Sequence, residues 1–291
     1  RMKSLILSIL AAVVLSRAPA IAAVVDVYLL GGQSNMEGQG DIADLTEVQK
    51  QFSKEVSFWN GNQFEPLIVG RTMTCNRPER FGLELSFAQE MAKCGGPIYL
   101  VKFSASGMPL HHGWDRNTWK GGDPAPGRVN FYPGTELEDP AQGTLYRQMI
   151  KRFRDAIANL EKQGLTPRVK AFHWMQGEQD SKHEVSATTY AKNLALLFQR
   201  VKNDVGSPNM KLVYGQVLPY EDAMPRFTHR EQIRAQMAAA DARSGKPESI
   251  IDAFMVSTED CSLKRDTVHH DSAGYWRLGQ KFADALLRNA D

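Results

Sequence analysis

Four short stretches of this chain carry residue types that do acyl-transfer chemistry when they meet. In LLGGQSNMEG (Leu29–Gly38), Ser34 follows two glycines and stands between Gln33 and Asn35. A hydroxyl at that point leaves a strand end for a helix start, where helix N–H groups favour developing negative charge. The position suits equally a serine that only caps the helix. Ser104-Ala105-Ser106-Gly107 is a second turn of small residues, whose backbone N–H groups can point outward. In Gln176-Gly177-Glu178-Gln179-Asp180, polar side chains crowd directly behind an apolar run. Gln176 can supply amide donors, while Glu178 and Asp180 also read as surface acids at a helix start. Asp266-Thr267-Val268-His269 puts an acid three residues ahead of an imidazole, with His270, Asp271 and Gly274 following. The acid can fix the ring's tautomer, and the ring can take a proton from a hydroxyl. Alone, the pair also reads as a surface His beside an acid. A hydroxyl is a poor nucleophile without a base. Together the stretches supply nucleophile, base, orienting acid and oxyanion donors, the parts needed to cleave an ester.

These residues must be positioned by regular elements, and the apolar runs supply them. Val24–Leu30, Pro97–Phe103, Val169–Met175, Lys211–Leu218 and Ser249–Val256 are short and mostly apolar, as strands covered on both faces are. Helical patterns fill the gaps at Leu83–Lys93, Leu145–Gln163, Thr188–Asp204, Arg230–Ser244 and from about Ala273 to Arg288. Gly164 and Gly245 stand where helices should stop. Alternation of strand and helix predicts an α/β fold with a parallel sheet between two helical layers. Ligands in such sheets bind at the carboxyl ends of the strands, where all four stretches fall. Ser104 to Thr144 is a long segment rich in Gly, Pro, Trp and His, a composition that goes with functional or mobile loops.

The chain has 291 residues, 42% hydrophobic and 23% charged, with a net charge of +2. That balance excludes a disordered chain and gives no electrostatic footprint for nucleic acid. Met2-Lys3, the apolar run Leu5–Leu15 and the small-x-small Ala20-Ile21-Ala22 predict a secretory leader over residues 1–23, cleaved near Ala22 or Ala23. The alternative is a transmembrane anchor, which the shortness of the run disfavours; no membrane attachment is expected after cleavage. The destination is then periplasmic or extracellular, with residues 24–291 as one domain. Three cysteines, Cys75, Cys94 and Cys261, allow at most one internal disulfide, and no C-x-x-C spacing supports a metal ribbon.

The constellation resembles the SGNH hydrolase superfamily, and within it the sialate O-acetylesterase and acetyl xylan esterase branch. The resemblance rests on GQSNM at Gly32–Met36, SASG at Ser104–Gly107, QGEQD at Gln176–Asp180 and DTVHHDSAG at Asp266–Gly274. It spans nearly the whole chain after the leader. It implies a three-layer α/β/α sandwich with a flavodoxin-like, mainly parallel five-stranded sheet, no metal and no cofactor. It also implies that Ser34 is the nucleophile, His269 the general base and Asp266 its orienting acid. The N–H groups of Ser34 and Gly107 and the side chain of Gln176 would form the oxyanion hole; Gln176 stands where the wider superfamily carries an Asn. Gln33, Asn35 and Glu178 would brace the serine turn. The implied partner is an acetylated carbohydrate, acetyl xylan or an O-acetyl sialic acid.

Three other readings compete with this one. An α/β-hydrolase needs G-x-S-x-G, and here Met36 fills the fifth place. A metal hydrolase would draw on His111, His112, His269 and His270, which lack H-E-x-x-H spacing. A non-catalytic carbohydrate-binding protein would use Trp114, Trp119 and His112 to stack on sugar rings, and the Asp266/His269 pair argues against it.

Overall fold

The computed structural model describes residues 22–220 and 225–289; the expected leader therefore lies, up to residue 21, outside the described residues. Seven strands build the central sheet: Val24–Gly32 (β1), Val56–Trp59 (β2), Phe64–Pro66 (β3), Ile98–Ser104 (β4), Thr166–Met175 (β5), Lys211–Gly215 (β6) and Ala253–Val256 (β7). Their spatial order is β7-β6-β5-β1-β4-β2-β3. All neighbours pair in parallel except β2 and β3. β1 is buried from Val27 to its end, because it lies mid-sheet with helices over both faces, an environment that selects an apolar run over alternation.

The five expected strands are β1, β4, β5, β6 and β7, and among themselves they take the flavodoxin order, with the second strand on one side of the first and the other three on the opposite side. The sheet has seven strands rather than five. β2 and β3 are four and three residues long, too short for periodicity to register. They join through an Asn60 turn whose side chain accepts the N–H groups of Asn62 and Gln63, and antiparallel β3 finishes that edge.

Helices Glu84–Ala92 (α2) and Ser272–Leu287 (α7) pack on one face; Thr144–Lys162 (α3), Tyr190–Asp204 (α5) and Arg230–Ala240 (α6) cover the other. The short helices Ser34–Glu37 (α1) and Glu184–Thr188 (α4) follow the ends of β1 and β5. Side chains alternate across the sheet: Tyr28 and His173 meet Phe87 of α2, whereas Phe172 meets Phe153 of α3. The helix expected over Thr188–Asp204 is interrupted before Tyr190, and the one expected to Ser244 stops at Ala240. Cys75 and Cys261 are buried, Cys94 is exposed, and all three are unpaired. No helix among the described residues is long and apolar enough to cross a membrane.

Candidate active site

β1 is where the strand order reverses, with β4 on one side and β5 on the other. Chains leaving these three strands diverge and open a crevice at the carboxyl edge. Gly32 brings β1 against β5: at its φ of +150° a Cβ would meet the Met175 carbonyl oxygen at 2.1 Å. Gln33 N–H then donates to that oxygen at 2.9 Å, and the chain turns into α1. The carbonyl of Gln33 accepts from Met36 and Glu37 N–H, while the N–H of Ser34 has no protein acceptor among the described residues.

A buried ion pair holds α1 from behind. The Lys102 ammonium donates to the Glu37 carbonyl and to Glu84 Oε2, both at 2.8 Å. Cys75 lies beside it, and burial pushes that thiol up to about 12. It stays protonated at neutral pH, so Glu84 is the acid in direct contact with Lys102.

Ser34 and His269 meet although 235 positions separate them: Ser34 Oγ lies 3.0 Å from His269 Nε2. Nδ1 of the same ring is 2.7 Å from Asp266 Oδ2. The other Asp266 oxygen accepts the N–H groups of Val268 and His269, both at 2.9 Å. Burial opposes charge on Asp266, but these bonds outweigh it and hold its carboxyl below the usual range. The loop carries strain, since Thr267 adopts φ +59°, a conformation that β-branched residues rarely take.

Asn35 joins the parts. Its amide donates to Glu178 Oε1 at 2.7 Å and to the Val268 carbonyl at 3.0 Å; its oxygen accepts Tyr275 O–H at 3.0 Å and His270 N–H at 3.3 Å. One side chain thus links the serine helix, the end of β5, the histidine loop and α7. Glu178 is buried, which raises its carboxyl above the ordinary range against the opposing Asn35 bond and His269 charge, and its Oε2 has no partner. Gln33 Oε1 accepts Gln176 Nε2 at 3.3 Å and Gln179 N–H at 3.4 Å.

Of the three residues expected to hold an oxyanion, Ser34 and Gly107 line the cavity and Gln176 does not. Gly107 takes φ +72° beside the cavity, and its N–H has no protein acceptor among the described residues. Gln176 is wholly buried and does not line the cavity. Its amide donates to Asp180 Oδ2 at 2.6 Å, to the Met108 carbonyl at 3.2 Å and to Gln33, while the Tyr190 hydroxyl sits 3.0 Å from its Oε1. A polar side chain at a strand end satisfies itself inside the protein when acceptors surround it. Asp180, expected as a possible surface acid, is equally buried and accepts Leu110 and His111 N–H at 2.8 and 3.0 Å. Burial pushes it up to about 6. It pins the long loop that starts at Ser104 to the end of β5. Ser106 adds a second tie, donating to Glu37 Oε2 at 2.5 Å.

The cavity over Ser34 measures about 330 Å³, lined also by Gln39, Gln179, Lys182, Arg226, Phe227 and Val268. Lys182, Arg226 and Phe227 belong to none of the four stretches, and only the fold brings them here. The aromatics of the long loop are spent on packing. Trp114 is buried with its indole N–H on Ser186, and Trp119 stacks on His183 at 3.6 Å. His111 lies tilted against His112 at 4.2 Å, while His270 is buried against α7. No three His, Cys, Asp or Glu side chains among the described residues are placed to hold a metal ion.

Residues 24–288 match the carbohydrate esterase family of sialic acid-specific acetylesterases. No curated protein sequence matches the chain. Among solved structures, a protein from Arabidopsis thaliana superposes with a TM-score of 0.64 at 18% identity, over 91% of this chain and 99% of that one. NanS gives 0.60 at 13% identity, over 92% and 98%. A carbohydrate acetylesterase from Xanthomonas citri gives 0.54 at 18% identity, over 91% of this chain and 56% of its own. At these identities the likeness is one of fold.

Proposed function

Because the chain belongs to the sialic acid-specific acetylesterase family of carbohydrate esterases, we propose that it removes O-acetyl groups from sugars through an acyl-enzyme on Ser34. The contact carrying this reading is Ser34 Oγ to His269 Nε2 at 3.0 Å, with Asp266 behind the ring at 2.7 Å. Ser34 Oγ attacks the acetyl carbonyl carbon and its proton passes to His269 Nε2. The bond to the sugar oxygen breaks, and His269 returns the proton to that oxygen, freeing the hydroxyl. Water attacks the acetyl-serine with His269 again as base, and acetate leaves. Asp266 keeps Nε2 unprotonated and faced to Ser34, then stabilises the imidazolium. The N–H groups of Ser34 and Gly107 suit the oxyanion, each such donor being worth about 2.7–4 kcal/mol of barrier. With Gln176 engaged elsewhere, Ser34 and Gly107 are the two of the three expected donors whose residues line the cavity.

The substrates proposed are acetylated xylan and 9-O-acetyl sialic acid, and the leader read in residues 1–23 would deliver the enzyme out of the cytoplasm to meet them. N-terminal sequencing of exported protein, with Ala22 or Ala23 as the last residue removed, checks the second statement. Acetate release from both substrates and from p-nitrophenyl acetate checks the first. Wild type turns over an acetyl ester and Ser34→Ala loses at least about 10⁴-fold. A preference for long acyl chains would overturn the deacetylase reading.

A further inference from the structure

We propose that Glu37 and Ser106 are positioning residues of the oxyanion site: their hydrogen bond fixes the N–H of Gly107 relative to the N–H of Ser34, so that both can donate to one oxygen. The proposal rests on the esterase reading above and deepens it at the same cavity. Ser106 and Gly107 both line that cavity beside Ser34. The Ser106 hydroxyl donates to Glu37 Oε2 at 2.5 Å, the length of a hydroxyl bond to a carboxylate.

Gly107 needs such help. At φ +72° it holds a conformation that suits glycine, and no atom lies within 4 Å of where a Cβ would stand. Glycine thus serves the backbone there and not the packing, and it is also the freest residue to move. The N–H in question belongs to the rigid peptide plane joining Ser106 to Gly107, so whatever holds Ser106 aims it. The other ties stop short on either side. Ala105 N–H donates to the Gly32 carbonyl at 3.0 Å, and the Met108 carbonyl accepts Gln176 Nε2 at 3.2 Å. Between them, the bond to Glu37 is the one hydrogen bond that Ser106 and Gly107 make among the described residues.

Glu37 is a fixed point to hold by. It closes α1, the helix that Ser34 opens, and it is buried. Its N–H donates to the Gln33 carbonyl at 2.8 Å. Its own carbonyl accepts the Lys102 ammonium at 2.8 Å and the Cys75 thiol at 2.7 Å. The main chain of Glu37 is therefore held together with the nucleophile's helix, while its side chain reaches the turn after β4. One bond joins the element carrying the first donor to the element carrying the second. Such donors act only when placed where negative charge develops, and a misplacement of about 1 Å can cost about 100-fold in rate.

The Glu37 side chain can be removed without loosening α1, because the bonds holding the helix use its main chain. Glu37→Ala and Ser106→Ala should each lower kcat for p-nitrophenyl acetate by about 10–100-fold. KM should stay unchanged, since the lost interaction is made in the transition state. The double variant should lose no more than either single one, because both remove the same bond. Glu37→Gln keeps an acceptor and Ser106→Thr keeps the hydroxyl, so both should retain most of kcat. Losses that multiply in the double variant, or that fall on KM instead, would overturn the brace. A second arm reads the geometry without hydrolysis. In protein labelled at its glycine nitrogens, the Gly107 amide resonance, assigned by its absence in Gly107→Ala, should move in Glu37→Ala and return toward its wild-type position in Glu37→Gln. That movement in a protein that turns over no acetyl ester would leave the brace standing and remove the esterase reading. Turnover with kcat and the Gly107 resonance untouched by Glu37→Ala would do the reverse.

Discussion

Gln176 sits in a buried knot where Asp180, Gln33, Tyr190 and the Met108 carbonyl converge. Truncating it strips one donor from Asp180, a carboxylate already pushed up to about 6 by burial. Gln176→Ala should therefore lower the unfolding free energy by about 1–3 kcal/mol, the cost of unsatisfied buried polar groups, as read by urea titration, along with a fall in kcat/KM. Activity lost at unchanged stability would reinstate Gln176 as an oxyanion donor. Single residues were legible in the sequence where polar groups interrupted apolar runs. Ser34, Asp266 and His269 stand out because their types and spacing mean little in a solvated turn. Lys182 and Arg226 were not legible, since a lone charge in a loop looks alike whether it faces water or a cavity.

At the scale of elements, α1 is only four residues long and cannot stand by its own hydrogen bonds. Its far end rests on Lys102, whose charge lies buried with Glu84. Removing one member strands the other: Lys102→Met should cost about 3–5 kcal/mol, and adding Glu84→Gln should recover part of it. Urea midpoints of the single and double variants measure this; equal stability in all three would show that the pair holds nothing. The pair escaped sequence reading because Lys102 lies within an apolar strand and Glu84 opens an ordinary helix. The β2–β3 hairpin escaped for another reason: its pairing is settled by backbone hydrogen bonds to β4, which composition does not record.

Across the whole molecule, His173 is a titratable group sealed in the core. It packs against Phe87 and Phe282, neither ring nitrogen has a partner, and burial pushes it down to about 3. The unfolded chain takes up this proton below about pH 6.5 and the folded chain only near 3. Stability should fall as pH drops through that window, by up to about 1.4 kcal/mol per unit from this group. His270, pushed down to about 4, and His111, to about 3, act in the same sense. His173→Phe should weaken the dependence, measured as the difference in unfolding free energy between pH 7 and pH 5. An undiminished difference would acquit His173. The layer architecture was legible because five strands and their helices each announce themselves locally. The order of strands was not, because pairing partners are chosen by packing between distant segments.

Ser34 and His269 lie 235 positions apart, and His269 is made second. On the proposed mechanism, a ribosome-bound chain grown as far as residue 260 owns its hydroxyl yet has nothing to deprotonate it. It would then be silent toward esters while it is being made, gaining its cutting power only when residues 266–271 have emerged and settled against Asn35.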